Sequence, residues 1–307
     1  MREHHTPPAV TYAGEDAPLI AAGADALTTS ACPAQRWRLG RAYWRVDRDE
    51  GFRRQHYTID GIDQKPARAF VETHHYSSSY PFALARVGLF QGRRLVGVAI
   101  FSTPINSNAV RRYAGLDAAL GVELGRFILL NRVPYNAESF FLAGAFAHLR
   151  REMPDVKAVI AYSDPVPRAT ASGELIMPGH VGTIYQAGNG RYVGRSSSQT
   201  MYLTDRGVAL STRGLSKIRR QEYGAASAEK RLRQLGAPAR RLHQHPAEWI
   251  DELLAGTTFR KLRHPGNHVY VWPLGTTRAK RMTLANCAPG KAYPKSLDAQ
   301  QRHLFAP

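Results

Sequence analysis

One stretch constrains the fold more than any other: Glu123 to Arg151, ELGRFILLNRVPYNAESFFLAGAFAHLRR. Phe127 to Leu130 is a short run of large apolar side chains, the composition of a buried strand. The polar turn Asn131 to Asn136 follows. Phe141, Leu142, Ala145, Phe146 and Leu149 then recur at the three-and-four spacing of a buried helical face. Asn136 is placed to cap that helix, Glu138 suits the positive end of its dipole, and Arg150 and Arg151 suit the negative end. Pro154 stops it. A strand passing through a tight loop into a helix aims free N–H groups at the loop, where they can bind an anion such as the pyrophosphate of a cofactor. The same pattern also serves as an ordinary strand–helix unit of an α/β protein.

Around this unit the chain reads as alternating strands and helices. Trp37 to Val46 alternates enough for one strand, and Pro66 to Glu72 suits a short helix. That helix leads into the polar, aromatic loop Thr73 to Pro81. Leu84 to Phe90 and Leu95 to Ser102 form a hairpin across Gln91-Gly92-Arg93-Arg94, and Gly97 hints at a bulge or a close backbone approach. Thr103 to Gly121 reads as loop with at most a short helix. Val156 to Tyr162 is a buried-type strand ending at Ser163-Asp164-Pro165, so Asp164 stands at the carboxyl end of a strand, where α/β sheets place ligands. Residues 165–180 are loop, His180 to Ala187 a short helix, and Arg191 to Val193 a strand. Met201 to Leu203 and Val208 to Leu210 flank a Thr-Asp-Arg-Gly turn. From Ser216 the texture becomes basic and helical. A helix begins at His245, His268 to Leu274 is a strand, and a basic, frayed tail follows Gly275. This predicts a flexible arm over 1–35, an α/β core over 36–212, and a basic, mainly helical extension over 213–307 whose strand returns to the core.

Charge narrows the partners. The 307 residues carry a net +18, and 34 of the 42 basic residues are arginine. Residues 206–307 hold 19 Lys/Arg against 6 Asp/Glu. Arginine abundance alone follows from a GC-rich genome, but an excess over acids does not, so a polyanion is the expected partner. No apolar run reaches the roughly 18 residues of a membrane span, and the N-terminus lacks the layout of a secretory signal. Cys32 and Cys287 have no metal-ligand spacing. An intracellular protein is the default expectation.

The order hairpin, strand, loop, helix, strand, short helix, strand resembles the GCN5-related N-acetyltransferase fold, a mixed sheet flanked by helices. Within it, His75-Tyr76-Ser77, Glu123-Leu124-Gly125-Arg126, Asn136-Ala137-Glu138-Ser139 and Tyr162-Ser163-Asp164-Pro165 stand in sequence, followed by Gly182-Thr183-Ile184-Tyr185-Gln186-Ala187 and Arg191-Tyr192-Val193-Gly194. Together, over roughly residues 65–275, these strings resemble the Mom family of bacteriophage DNA-modification proteins. The resemblance implies conversion of adenine N6 in DNA to a carbamoylmethyl (methylcarbamoyl) type adduct that protects DNA from restriction. It also implies acetyl-CoA as donor and bound iron. By the same resemblance Asp164, Tyr76, Arg126 and Ser139 carry the chemistry, His75, Tyr76 and Asp164 hold the metal, and Arg126, Arg132, Asn136 and Ser139 face the cofactor. His74 and His75 would point oppositely on a strand, so one ligates. The loop NRVPYNAES departs from acetyltransferases in lacking their pyrophosphate-cradling glycines. CoA is then held by Arg132 and the helix N-terminus, or the cofactor is another.

The residues themselves also allow plainer roles. Glu123 and Arg126 suit a core ion pair as well as a site, Asn136 suits a cap, and Asp164 a strand-end cap. Tyr80 and Tyr185 are candidates to stack on an adenine flipped out of double-stranded DNA, or ordinary core tyrosines. Lys217, Arg219, Arg220, Lys230, Arg231, Arg233, Arg240 and Arg241 offer phosphate contacts, or a solvated helix face. Two other functions use the same features: acyl transfer to an already aminated DNA base, which needs no metal, and DNA binding without catalysis.

Overall fold

The computed structural model describes the backbone of residues 34–38 and 41–45, and residues 52–75, 79–130, 132–134, 136–177 and 179–295 in full. In chain order the elements begin with β1 (Ala34–Arg38), β2 (Arg41–Arg45), β3 (Tyr57–Gly61), α1 (Gln64–His74), β4 (Ala83–Gln91), β5 (Arg94–Ser102) and β6 (Gly121–Leu129). Then come α2 (Ala137–Glu152), β7 (Ala158–Ser163), β8 (Arg168–Ala169), β9 (Leu175–Met177), α3 (Thr183–Ala187), β10 (Arg191–Arg195) and β11 (Gln199–Leu203). The chain continues through α4 (Thr212–Arg220), α5 (Ala225–Gln234), α6 (Pro246–Ala255), β12 (Arg260–His264), β13 (His268–Pro273) and α7 (Thr277–Asn286). The described residues fall into two compact units. One takes the chain up to Asp164, His180–Gly194 and the stretch from His268 onward; the other takes Pro165–Gly179 and Arg195–Asn267.

The first unit is built on a seven-stranded sheet in the order β10-β13-β7-β6-β5-β4-β3, flanked by helices. This is the mixed α/β class expected from the sequence. The β4–β5 hairpin forms with its turn at Gly92-Arg93, two residues shorter than the sequence reading, because Gln91 and Arg94 pair. Gly97 earns its place by close approach: a Cβ there would stand 3.0 Å from the Ile128 carbonyl and 3.3 Å from the Phe141 ring, and the register of the hairpin slips beside it. The strand read as Phe127 to Leu130 begins earlier, at Gly121, and bulges where Ile100 faces Arg126 and Phe101 faces Leu124, leaving Gly125 as the extra residue.

β6 and β7 run parallel but pair over three rungs only, Gly121–Ala158, Val122–Val159 and Glu123–Ile160. β6 continues to Leu129 against β5 alone. The two strands therefore part toward their carboxyl ends, leaving that edge of β6 without a sheet partner. Alternate residues of β7 and β13 feed two cores, as the period of two demands. Val159, Ala161, Tyr270 and Trp272 join Phe141, Leu142 and Leu149 of α2. Ala158, Ile160, Val269 and Val271 join Val110, Tyr113 and Cys287.

Several expectations are corrected. Trp37 to Val46 is not one strand: β1 pairs antiparallel with β2 from Ala34–Arg45 to Arg38–Arg41. Residues 1–33, most of the expected arm, lie outside the described residues. The loop over 165–180 contains the small β8–β9 pair. The tail after Gly275 is not frayed there: Thr276 caps α7 through the Ala279 N–H at 3.3 Å, and Thr283 and Cys287 are buried. The Thr-Asp-Arg-Gly turn closes through a Leu203–Ala209 bridge, while β11 pairs along its length with β12. In the second unit, α4, α5 and α6 enclose Leu215, Ile218, Leu232, Trp249, Ile250 and Leu253.

Candidate functional site

Four side chains of the first unit gather where β6 and β7 part. His75 ends α1, its N–H bonded to the Val71 carbonyl at 2.9 Å. His74 is the last helical residue and lies 4.7 Å from the Phe70 ring. The two histidines thus diverge at a helix terminus rather than on the strand expected. Arg126 leaves β6 beside the bulge and grips Ser79, donating from Nε to its carbonyl at 3.0 Å and from Nη2 to its hydroxyl at 2.7 Å. Glu123 does something else: buried, it accepts the Ile105 N–H at 3.2 Å. Burial raises its carboxyl above the usual range, and the Ile105 bond and Arg126 oppose that shift.

Asp164 is buried at the end of β7, and its carbonyl accepts the His180 N–H at 2.8 Å. His180 is the site residue that the sequence reading left out. The Ser163 hydroxyl donates to the His180 carbonyl at 2.5 Å and lies 3.3 Å from its Nδ1. With the hydroxyl proton so committed, Nδ1 is the donor in that contact, and Nε2 keeps its lone pair. Burial pushes the imidazole below its ordinary value, against the pull of the Asp164 carboxylate. Burial, then Arg126, then His180 lower His75 well below the same value. Both rings are neutral near neutral pH, and a neutral imidazole is a proton acceptor.

The loop carrying His180 is fastened from behind. Tyr270 on β13 donates its hydroxyl to the Val181 carbonyl, and Gln186 reaches the same carbonyl at 3.1 Å and that of Pro294 at 2.9 Å. Tyr185 packs 5.5 Å from both Tyr270 and Trp272, the core role among the two considered. Tyr80 sits 4.8 Å below the Arg68 guanidinium and packs on the core. Arg132 is half-buried in the loop before α2, and Ser139 is exposed in its first turn. Asn136 makes no side-chain cap; it stands at φ 70°, a left-handed conformation that asparagine tolerates. Tyr76 lies outside the described residues.

Among the described residues no group of three or more His, Cys, Asp or Glu is placed to hold a metal ion. The Arg126 guanidinium and the neutral His180 imidazole neighbour His75, and a guanidinium there opposes a bound dication. Tyr76, the third residue that the resemblance assigns to the metal, lies outside the described residues; among the described ones His180 is the imidazole on which the Asp164 carboxylate acts. The first turn of α2 offers N–H groups, and the edge of β6 beyond its three rungs with β7 offers backbone groups.

A model of the Mom protein family matches residues 56–295, more than three-quarters of the chain. The chain belongs to the Mom protein family. Two of the strings quoted from the sequence meet other site residues in space: Tyr162-Ser163-Asp164-Pro165 brings Asp164 to His180, and Glu123-Leu124-Gly125-Arg126 brings Arg126 to His75. A curated relative, the methylcarbamoylase Mom of Escherichia phage Mu, is 29% identical over 157 residues. That match covers 50% of this chain and 60% of the phage protein. A tandem GNAT protein from the clavulanic acid biosynthesis pathway, solved without AcCoA, aligns with 72% of this chain and 99% of its own at a TM-score of 0.39 and 10% identity. Among the described residues no helix is long and apolar enough to cross a membrane.

The cluster has a measurable consequence for stability. Between the ordinary histidine value of 6.5 and its own lower one, His180 is protonated in the unfolded chain and neutral in the folded one. Stability is therefore full above that ordinary value and falls as pH drops through the window, by at most about 1.4 kcal/mol per pH unit. His75, Asp164 and, beyond them, Arg126 face the ring, and His75 adds a slope of the same sign. Urea midpoints measured from about pH 7.5 to about pH 5.5 should fall, and His180→Gln should flatten the slope. Identical slopes for both chains would disprove the assignment.

Proposed function

We propose that this chain modifies adenine in double-stranded DNA at N6, adding a carbamoylmethyl (methylcarbamoyl) type group that shields the DNA from restriction. The observation that carries the reading is the grouping of Asp164, His180, His75 and Arg126 at the parting of β6 and β7, in a chain of the Mom family. The name of the phage Mu relative supports the product class.

Adenine N6 is a poor nucleophile, because its lone pair is delocalised into the ring. His180 Nε2 takes a proton from N6, and the Asp164 carboxylate stabilises the imidazolium that results. Arg126 fixes the 79–81 loop on one side of the cluster and supplies positive charge. Arg132, the Asn136 turn and Ser139, at the N-terminus of α2, bind the pyrophosphate of acetyl-CoA. Bound acetyl-CoA would supply a two-carbon unit, with the CoA thiol as leaving group; the amide nitrogen and the two-electron oxidation that separate an acetyl from a carbamoylmethyl group would come from an amine donor and an oxidant acting with it. Tyr80 lines the approach for a base out of the stack. In the second unit Lys217, Arg219, Arg220, Arg231 and Arg233 neutralise phosphates. Of these, Arg219 shares its charge with Asp251 at 2.5 Å, and Arg220 with Glu222 at 3.9 Å.

The donor set favours one second reading. Acyl transfer to a base that another enzyme has already aminated needs no metal and uses the same groups. Nucleoside mass spectrometry on plasmid DNA from bacteria expressing the chain separates the two. The proposal expects a new adenosine-derived mass from ordinary DNA. A mass shift only on DNA carrying an aminated base supports the second reading, and no shift on either substrate rejects both.

A further inference from the structure

The turn between α4 and α5 holds Tyr223 fully exposed, at 100%. A single exposed ring needs no partner by itself; the setting of this one in a fixed turn among cations is what singles it out. This one is held rather than loose. Gln221 and Gly224 both adopt left-handed backbone, at φ 51° and φ 85°, a conformation that suits glycine at the second of them. The Glu222 N–H bonds the Lys217 carbonyl at 3.0 Å, and the Ala225 N–H bonds that of Glu222 at 2.9 Å. The Glu222 carboxylate is drawn aside by Arg213 at 2.5 Å and Arg220 at 3.9 Å.

The one acid of the turn is thereby neutralised, and what projects is a phenol ring among cations. Residues 212–234 hold seven Lys/Arg and two Asp/Glu, and the second acid, Glu229, is bound by Arg240 at 3.5 Å. The Lys217 ammonium lies 3.4 Å from where a Cβ on Gly224 would stand. Lys230, Arg231 and Arg233 are exposed and make no ion pair with a described residue. An acidic protein surface would satisfy the cations but offer nothing flat to the ring. Nucleic acid offers both, phosphates to the cations and a base face to the ring.

We infer that Tyr223 is a base-stacking wedge: it enters the DNA stack while Lys217, Arg220, Arg231 and Arg233 hold the flanking phosphates. This rests on the reading that DNA is the substrate and deepens it. Chemistry at N6 requires an opened duplex, and a ring that stacks on bases lowers the cost of opening one.

The test uses the full chain and a duplex of about 20 base pairs carrying 2-aminopurine, read by anisotropy and by the fluorescence that rises on unstacking. Tyr223→Ala should bind about tenfold more weakly and lose the fluorescence rise, with the salt slope of the wild type unchanged because phosphate contacts persist. Tyr223→Trp should restore both. Equal affinity and equal fluorescence for wild type and Tyr223→Ala overturn the inference and leave the function standing. Absence of duplex binding by the wild type overturns both. A wild type that binds and unstacks but leaves no adduct on DNA keeps the wedge and rejects the modification reading.

Discussion

Plasmid DNA from cells expressing Asp164→Ala is expected to carry about 10²–10⁴-fold less adenosine adduct than DNA from the wild type. The loss would arise from charge, not from architecture. Any residue at 164 keeps the carbonyl that accepts the His180 N–H at 2.8 Å, so the loop stays in place while the carboxylate is gone. His180 then forms its imidazolium in a buried place without a counter-charge. Asp164→Asn should match the alanine variant, since it restores shape but not charge. Melting temperatures within a few degrees of wild type would separate lost chemistry from lost fold. Full adduct from either soluble variant would remove Asp164, and with it the His180 mechanism, from consideration.

Phe141→Ala is expected to cost about 3–5 kcal/mol in urea unfolding. Phe141 is fully buried and stacks on Phe127 of β6 with ring centroids 5.1 Å apart. Its edge fills the space that Gly97 leaves on β5. These contacts clamp α2 to the centre of the sheet, so the residue also fixes where the N-terminus of that helix points. A loss below about 1 kcal/mol would show that neighbouring side chains close over the gap, against the tight packing described.

Local pattern made the sheet legible. The β4–β5 hairpin, the β6–loop–α2 unit and β7 all depend on alternation, apolar runs and turn residues that lie within a dozen positions of each other. What escaped depends on distance along the chain. His180 stands 16 positions from Asp164, and nothing in its immediate surroundings marks it as more than the start of a short helix. Only the return of the loop onto the end of β7 joins them. A signal was nonetheless there, in the placing of His180 two residues before Gly182-Thr183-Ile184-Tyr185. α7 was misread for a different reason: Arg278, Lys280 and Arg281 suggested a solvated tail, whereas Thr283 is buried and Cys287, at the end of the helix, packs with Val110, Tyr113 and Ala114. Asn136 has the composition of a cap but a left-handed backbone at φ 70° and no side-chain cap bond, whereas a capping side chain works from extended backbone.

The position of β13 bears on how such a protein is made. It lies inside the sheet between β10 and β7, yet it is synthesised after all the residues of the second unit. A nascent chain that has emerged only as far as α6 already has every other strand of that sheet but a gap between β10 and β7, and it lacks the Tyr270 hydroxyl that donates to the Val181 carbonyl. Completion of the sheet must wait for residue 273, a long-range closure that makes folding slow relative to a sheet of sequential hairpins. A finished sheet is therefore tied to the synthesis of β13: copies terminated before residue 273 would carry the basic helices without it.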